Sequence, residues 1–152
     1  MKITVLTVGK IKEKFYTAAI DEYSKRLSRY CKLNIIQVAD EKTIENSTEK
    51  ERDIIKSKEG ERILKNIPDD AFVITLEING KMLDSEELAD KINKLGIMGE
   101  SHIVFVIGGS LGLHQDVSKR ANFKLSFSKM RVILLEQIYR SYRIINNEPY
   151  HK

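Results

Sequence analysis

Apolar residues along this chain fall alternately into short β-branched runs and into stretches with helical spacing. The short runs end on glycine or polar residues, which is typical of strands buried on both faces of a parallel sheet. They predict strands over KITVLTV (2–8), LNIIQVA (33–39), AFVITLE (71–77), HIVFVIG (102–108) and FKLSFS (123–128). Apolar residues that recur every three or four positions predict helices over 13–31, from about Glu49 to Lys65, from Asp84 or Ser85 to near Gly96, and over 130–145.

Strand and helix alternate throughout, which predicts an α/β fold with a mostly parallel sheet and helices on both faces. We expect one domain over residues 1–152, because no internal repeat, low-complexity tract or linker interrupts the pattern. Asn79-Gly80 predicts a tight turn after the third strand. Asp84, followed three residues later by Glu87, predicts a capping box at the start of the next helix.

The segment HIVFVIGGSLGL (102–113) ends an apolar run on a glycine-rich turn. Such turns can bind phosphate through backbone N–H groups, but the spacing here does not support it. Gly108, Gly109 and Gly112 give G-G-x-x-G, which is neither the dinucleotide motif G-x-G-x-x-G nor a G-x-x-x-x-G-K-[ST] loop, so a dehydrogenase is disfavoured. Ligands of parallel sheets bind beyond the carboxyl ends of strands, which places Leu76 near Gly108. The apolar neighbours favour a flat, largely uncharged ligand.

Charge is distributed unevenly along the chain. The chain has 26 Lys and Arg residues and 22 Asp and Glu residues. Positions 119–152 hold eight of the basic and two of the acidic residues, which gives this segment a net charge of +6 and residues 1–118 a net charge of −2. A basic segment on a neutral body can offer one face to a polyanion, although a solvated surface is the alternative. The chain has no signal region and no apolar stretch of membrane-spanning length. With its single cysteine, Cys31, expected in the core, we expect a cytoplasmic protein with no membrane partner.

Several kinds of chemistry lack the residues that they need. His102, His114 and His151 have no metal-ligand spacing, so we expect no metal site. His114, just after the glycine turn, is expected to be a helix cap or a surface residue rather than a base. Ser110 lies in no G-x-S-x-G motif, so a nucleophilic serine is not expected.

The last predicted helix carries the charged residues Glu136, Arg140 and Arg143 on one face, at spacings of four and three. A plain surface ion pair between Glu136 and Arg140 explains two of them. The tyrosines that interleave the arginines and the ending YHK indicate a second explanation. Arginines beside aromatic side chains suit phosphates and unstacked RNA bases.

The segments LTVGKIKEKFY, ITLEINGKMLDSEELA, FVIGGSLGLH, LSFSKM and RVILLEQIYRSYRIINNEPYHK follow one another from end to end of the chain. In this order and spacing they resemble the RlmH family of SPOUT-class enzymes, which methylate N3 of a pseudouridine in 23S ribosomal RNA of the assembled ribosome. No single motif carries the resemblance. It implies S-adenosylmethionine as cofactor, a homodimer, and a deep trefoil knot near the C-terminus.

Position by position, the resemblance implies cofactor contacts at Leu76, Gly108, Gly109, Gly112, Phe127, Ser128, Lys129 and Met130. It implies catalytic roles for Tyr150, His151 and Arg140. It implies substrate binding by Arg140, Tyr142, Arg143 and Lys152. The N3 proton must leave, which requires a base or a group that stabilises the resulting anion, and which residue takes the proton stays open. Transfer of a methyl group from a sulfonium requires no metal and no covalent nucleophile, since holding donor and acceptor in near-attack geometry supplies much of the rate.

The resemblance is interrupted at one position. The family pattern continues from S-K-M through a short segment containing T-x-P-H before R-V, whereas Met130 here precedes Arg131 directly. We expect that segment to exist as a mobile loop, because the sequence resumes in register on both sides. A true deletion would remove cofactor and substrate contacts and favour a non-catalytic ribosome- or RNA-binding factor with the same fold. A SPOUT enzyme that methylates transfer RNA is a further alternative.

Overall fold

A computed structural model of the protein describes residues 1–127 and 131–149. Strands and helices alternate along these residues: β1 Lys2–Val8, α1 Lys14–Leu27, β2 Lys32–Val38, α2 Glu49–Lys65, β3 Phe72–Lys81, α3 Ser85–Ile97, β4 His102–Ile107, α4 Gln115–Arg120, β5 Phe123–Leu125 and α5 Arg131–Ile145. Within these two ranges, no helix combines the length and the apolar character that crossing a membrane requires.

The strands form a parallel sheet in the order β2-β1-β4-β3-β5. Val5 of β1 lies opposite Ile35 of β2 on one side and opposite Phe105 of β4 on the other. Parallel neighbours cannot be joined by a tight hairpin, and the helices of this chain supply the crossover connections. The predicted α/β fold with a mostly parallel sheet is confirmed.

Side chains of the strands alternate between two apolar clusters, one on each face of the sheet. Ile3 and Val5 of β1 belong to the first cluster, together with residues of α1, α3 and α5. Leu6 and Val8 belong to the second cluster, together with residues of α2 and α4. Both faces of the sheet are therefore covered by helices, as the sequence predicts.

The starts of α2 and α3 follow from local sequence. Asp84 precedes α3, and its carboxylate accepts a hydrogen bond from the Glu87 backbone N–H at 2.8 Å, while the Glu87 carboxylate accepts one from the Asp84 N–H at 3.0 Å. The predicted capping box is thus confirmed. A second one, between Thr48 and Glu51, begins α2 at the residue predicted, Glu49.

The predicted tight turn at Asn79-Gly80 is wrong, because both residues belong to β3. Leu76 and Lys81 both pair with Leu125 of β5, so the residues between them bulge out of register. A Cβ on Gly80 would lie 2.5 Å from the carbonyl carbon of Leu125. Glycine is therefore required at this position by the close approach of a neighbouring strand.

Two further boundaries and one short helix differ from the prediction. The first helix ends at Leu27 instead of residue 31, and the Ser28 hydroxyl there donates to a carbonyl of its last turn. The fifth strand stops at Leu125, and Phe127 packs against the first apolar cluster from outside the strand pairing. The helix α4 was not predicted, because six residues are too short to show apolar periodicity.

Candidate functional site

The carboxyl ends of β3, β4 and β5 lie side by side, and three of the predicted cofactor residues are found there. Thr75 pairs with Val106, so Leu76 and Gly108 lie just beyond the last paired residues of two neighbouring strands. Leu76 also pairs with the last residue of β5, two positions before Phe127. Leu76 is buried, and Phe127 packs against the same apolar cluster. Both residues therefore belong to the apolar packing on the face of the sheet that α1, α3 and α5 cover.

The glycine turn after β4 folds back on itself. The Gly112 N–H donates to the Gly109 carbonyl oxygen at 3.1 Å, and a Cβ on Gly108 would lie 2.9 Å from the Gly112 carbonyl carbon. Gly112 has φ of +88°, and no atom lies within 4 Å of the position of a Cβ there. The turn therefore needs glycine for two different reasons, crowding at Gly108 and backbone conformation at Gly112. It leaves open space beside Gly112.

A buried carboxylate from α2 supports this turn. Glu59 is only 4% exposed, and its Oε1 lies 2.9 Å from the position of a Cβ on Gly109. Its Oε2 accepts a hydrogen bond from the Glu41 backbone N–H at 3.0 Å. Burial raises the pKa of the Glu59 carboxyl above its usual value. Glu59 is not among the residues predicted from the sequence, since one glutamate in a charge-dense helix carries no distinguishing signal.

His114 and α2 meet behind the turn. The His114 ring accepts a hydrogen bond from the Asp116 backbone N–H at 3.2 Å through Nδ1 and so caps α4, which confirms its predicted role as a cap. A Cβ on Gly60 would lie 3.2 Å from the His114 Cβ and 3.3 Å from a Val117 methyl carbon. A glycine inside α2 is the signal in the sequence that marks this close approach.

Arg131, the first residue of α5, reaches across the molecule to the end of β1. Its Nη2 donates to the carbonyl oxygens of Val8 at 2.9 Å and Gly9 at 2.8 Å. Its Nη1 is buried, with no hydrogen-bond partner among the residues that the structure describes. Burial lowers the pKa of this guanidinium. A cavity of about 590 Å³, lined in part by Lys10 and Lys12, lies at this end of β1 and β2.

Arg140 forms the predicted ion pair with Glu136. Its Nε and Nη2 donate to Glu136 Oε1 at 3.0 and 2.7 Å, and the side chains of the pair are 26% and 18% exposed. The other carboxylate oxygen of Glu136 accepts a hydrogen bond from Gln137 at 3.0 Å. Arg140 is thus half-buried and oriented by its own helix.

Arg143 donates hydrogen bonds to two residues that follow α5. Its Nη1 donates to Glu148 Oε2 at 2.7 Å, and its Nη2 donates to the Pro149 carbonyl oxygen at 3.3 Å. The Tyr30 hydroxyl donates to the other carboxylate oxygen of Glu148 at 2.8 Å. The hydrogen bond with the Tyr30 hydroxyl raises the pKa of the Arg143 guanidinium, and the nearby negative charge of Glu148 acts in the same direction. The side chain of Arg143 is 17% exposed, so it is largely enclosed by these partners.

The tyrosines of α5 pack inward. The ring of Tyr142 stacks on that of Tyr30 at 5.6 Å between centroids, and Tyr139 packs against Tyr23 and Tyr30. Tyr142 is 8% exposed, and its buried hydroxyl has no hydrogen-bond partner in the described part of the chain. Cys31 is buried beside this cluster, and burial raises the pKa of its thiol to about 11, which confirms it as a core residue. The interleaved tyrosines thus join α5 to α1 and the turn that follows it.

Six of the predicted site residues lie outside the described residues: Ser128, Lys129, Met130, Tyr150, His151 and Lys152. The described cofactor residues lie at one end of the sheet, and the described substrate residues lie on α5. In residues 1–127 and 131–149, no group of three or more His, Cys, Asp or Glu side chains is arranged to hold a metal ion.

The chain is similar to methyltransferases over its whole length. A family model described as "Predicted SPOUT methyltransferase" matches residues 1–151. A Clostridium botulinum protein named "Ribosomal RNA large subunit methyltransferase H" is 62% identical over 159 residues, and one of the same name from Clostridium tetani is 61% identical. Both alignments cover 100% of each chain. A solved structure, "The structure of a probable methylase family protein from Haemophilus influenzae Rd KW20", shares 16% identity at a TM-score of 0.48, covering 99% of this chain and 70% of that one.

The alignments also bear on the junction between Met130 and Arg131. They extend over 159 positions against the 152 residues of this chain, so seven positions have no residue here. The sequence runs directly from Met130 to Arg131, so the mobile loop expected between them is not part of it.

Proposed function

The chain belongs to the SPOUT methyltransferase family, and from this premise we propose that it methylates N3 of a pseudouridine in 23S ribosomal RNA of the assembled ribosome. The observation that carries the proposal is the full-length identity of 62% to a protein named for methylation of large-subunit ribosomal RNA. The basic segment over 119–152 supports a polyanionic substrate. We propose one methyltransferase domain over residues 1–152.

S-adenosylmethionine is the proposed methyl donor, and when bound it supplies a methyl group on a positively charged sulfur. The end of the sheet fits such a group because apolar side chains meet accessible backbone there. Phe127 is half-buried against the apolar cluster that contains Leu76, and Gly112 leaves space for close approach. We propose that they hold the cofactor together with Gly108 and Gly109, and with residues 128–130.

The remaining proposed roles belong to α5 and the residues after it. Tyr150 and His151 are proposed to act on the N3 proton. Arg140, Arg143 and Lys152 are proposed to bind the substrate, whereas the predicted contact of Tyr142 is not supported, because its ring is buried against Tyr30. Of the two arginines on α5 Arg140 is the more accessible, because its side chain is 26% exposed and that of Arg143 is 17% exposed. A cation beside the reacting base would stabilise its anion after loss of the proton.

We also propose the homodimer and the knot that the family resemblance implies. Support for the dimer comes from the start of α5. Ile133 is 37% exposed there, whereas Leu134 and Leu135 beside it are buried within the subunit. A partner subunit would cover this apolar position. Light scattering of the purified protein tests the dimer, and a mass of one 17.5 kDa chain would contradict it.

The test of the enzyme proposal is transfer of a radiolabelled methyl group from S-adenosylmethionine. Acceptors are assembled ribosomes that lack the modification, free 23S ribosomal RNA and transfer RNA. Label only in large-subunit RNA of assembled ribosomes is the expected result. Label in transfer RNA would favour a SPOUT enzyme of the other substrate class, and no label on any RNA would overturn the proposal.

The cofactor site has its own test, which does not depend on turnover. We expect Phe127→Ala to weaken binding of S-adenosylmethionine by about 10-fold or more, because the lost apolar contact contributes ~1.5–3 kcal/mol when fully buried. Met98→Ala is the control, since Met98 is 75% exposed and lies just before β4 begins, at the opposite end of the sheet. Equal affinities of both variants and the wild type in calorimetric titrations would contradict the assignment of Phe127.

A second candidate function rests on the seven alignment positions that have no residue in this chain. If their loss removes cofactor contacts, the protein is a ribosome- or RNA-binding factor with the fold of the family. The same calorimetric titration separates the two candidates. Absence of cofactor binding together with retained binding to ribosomes would favour the binding factor.

A further inference from the structure

Arg131 carries a positive charge that no carboxylate in the described part of the chain compensates. Among those residues its hydrogen bonds go only to backbone carbonyls, from Nη2 to Val8 at 2.9 Å and to Gly9 at 2.8 Å. Its Nη1 is buried there without a hydrogen-bond partner. A charged group removed from water is normally paired with an opposite charge, because its desolvation is costly. The guanidinium therefore points to an anion bound at the end of β1.

Thr7 adds a second unpartnered polar group at the same end of β1. Its side chain is 0% exposed, and its hydroxyl has no hydrogen-bond partner among the described residues. Thr7 pairs with Gln37 of β2 and with Ile107 of β4, on the face of the sheet that α1 and α5 cover. Arg131 begins α5 on that same face. A buried polar atom without a partner requires an explanation, and a bound ion is one.

A cavity of about 590 Å³ opens at the carboxyl ends of β1 and β2, next to these two groups. Gly9 lines the cavity, and the Gly9 carbonyl accepts a hydrogen bond from Arg131. Gln37 also lines it, and Gln37 is the residue of β2 that pairs with Thr7. The two unpartnered groups therefore adjoin residues of the cavity wall.

The lining of this cavity is basic. Lys10 and Lys12 are exposed, and neither forms an ion pair with a described residue. Asp40 is the one acidic residue among those that line the cavity in the described part of the chain. Counted with Arg131, three positive charges stand against one negative charge, which leaves +2. Such a surplus attracts anions, and ammonium and guanidinium groups are well suited to bind phosphate.

We propose that this cavity binds a backbone phosphate of the RNA substrate through Lys10, Lys12 and Arg131. The Thr7 hydroxyl is a further donor to that phosphate. The inference rests on the proposed function, because RNA is the polyanion that the function supplies. It completes the charge balance of Arg131 and gives the buried hydroxyl a partner.

The position of the cavity suits a nucleotide whose base is methylated at the end of the same sheet. Thr7 pairs with Ile107, which directly precedes Gly108 of the glycine turn. A methyl carbon of Val8 lies 3.3 Å from the position of a Cβ on Gly109. Neighbouring strands are about 4.8 Å apart, so the end of β1 is separated from the proposed cofactor residues on β4 and β3 by one or two strand widths. One nucleotide can span that distance.

The test replaces the exposed lysines, because a change at Arg131 would also release α5 from β1. We expect Lys10→Ala/Lys12→Ala to bind ribosomes that lack the modification roughly 10-fold more weakly, since charge-assisted hydrogen bonds to one phosphate are lost. The slope of the logarithm of the binding constant against the logarithm of the salt concentration should become shallower by about 0.7–0.9. Lys32→Ala/Lys65→Ala is the matched control, because it removes two exposed charges at the amino ends of β2 and β3.

Two results would overturn the phosphate site. One is an equal affinity for ribosomes and an equal salt slope in the two double variants. The other is weaker binding of S-adenosylmethionine by Lys10→Ala/Lys12→Ala in calorimetric titrations while ribosome binding is unchanged, because the bound anion would then be the carboxylate of the methyl donor.

Binding of inorganic phosphate to the free protein separates failure of this site from failure of the proposed function. We expect the backbone amide signals of Gly9 and Lys10 to shift in ¹⁵N correlation spectra on addition of phosphate, and not of chloride at equal ionic strength. Thr7→Val should weaken this response and leave the melting temperature at or above that of the wild type, since the lost hydroxyl has no partner in the described residues. Absence of the shifts in the wild type would overturn the anion site. The expected shifts in a protein that neither binds ribosomes nor methylates RNA would support the anion site and contradict the proposed function.

Discussion

Alanine at Gly109 should destabilise the protein through a single contact with Glu59. Its Cβ would lie 2.9 Å from Glu59 Oε1 and 3.3 Å from Oε2, with a Val8 methyl carbon at 3.3 Å. The carboxylate has little freedom to retreat, because it is 4% exposed and its Oε2 accepts a hydrogen bond from the Glu41 N–H at 3.0 Å. Relief of the overlap therefore has to move α2, the glycine turn or both.

The magnitude follows from the distances. Ordinary contact begins at 3.4 Å, so the Cβ and Oε1 have to separate by a further 0.5 Å. Overpacking of a buried site costs about 1–3 kcal/mol. Weakening the hydrogen bond from the Glu41 N–H to a charged carboxylate adds part of the ~1.5–3 kcal/mol that such a bond contributes. We expect Gly109→Ala to lower the free energy of unfolding by about 2–4 kcal/mol.

Urea unfolding followed by circular dichroism measures this, with two other glycines as controls. A Cβ on Gly112 would have no atom within 4 Å, but the backbone there has φ of +88°. For Gly112→Ala we therefore expect only backbone strain, which should lower the free energy of unfolding by about 1–2 kcal/mol. Gly96→Ala lies in α3, with its Cβ 3.5 Å from a Met1 methyl carbon, and should stabilise the helix by up to ~1 kcal/mol. Combined with Glu59→Ala, Gly109→Ala should lose most of its cost. A cost that persists in full in that background would refute the reasoning.

Three further predictions concern single side chains. Burial raises the folded-state pKa of Glu59 above 4.5, so the stability that its protonated carboxyl contributes is present below the unfolded-state pKa and is lost as pH rises through the folded-state pKa. Glu59→Gln should abolish this loss of stability, and parallel stability–pH curves for the variant and the wild type would contradict the prediction. The buried hydroxyl of Tyr142 has no hydrogen-bond partner among the described residues, so Tyr142→Phe should leave the free energy of unfolding unchanged or raise it by up to ~1 kcal/mol. A decrease of more than ~1 kcal/mol in urea titrations would reveal a hydrogen bond to this hydroxyl and contradict the prediction. Arg140→Ala should weaken ribosome binding, and the slope of the logarithm of the binding constant against the logarithm of the salt concentration should become shallower by about 0.7–0.9. Arg26→Ala is the control, because it removes the same charge from an ion pair on α1 and should leave this slope unchanged. Equal slopes for the two variants would mean that Arg140 is structural.

Local signals in the sequence predicted those features that depend on residues a few positions apart. The capping box of Asp84 and Glu87 needs only a spacing of three, and the start of α2 at Glu49 coincides with a second box. Ion pairing of Glu136 with Arg140 needs a spacing of four. The cap formed by His114 likewise depends on its own helix.

The same local reasoning failed where a distant segment decided the structure. Asn79-Gly80 has the composition of a turn, yet it continues β3 because Leu125 packs against Gly80. Glycine inside a strand is typical of a bulge, or of a site where another backbone approaches closely. Composition alone carries no information about that partner.

The sequence by itself determined the order of strands and helices, the covering of both sheet faces and the family of the protein. These depend on apolar periodicity and on motifs that are read along the chain. Only the tertiary structure decided that Glu59 supports the turn at Gly109, that Arg131 binds the end of β1, and that Tyr30 and Glu148, 118 positions apart, are joined by a hydrogen bond. The physical reason is that such contacts depend on how whole elements pack, and packing brings together residues whose local sequence contains no sign of each other.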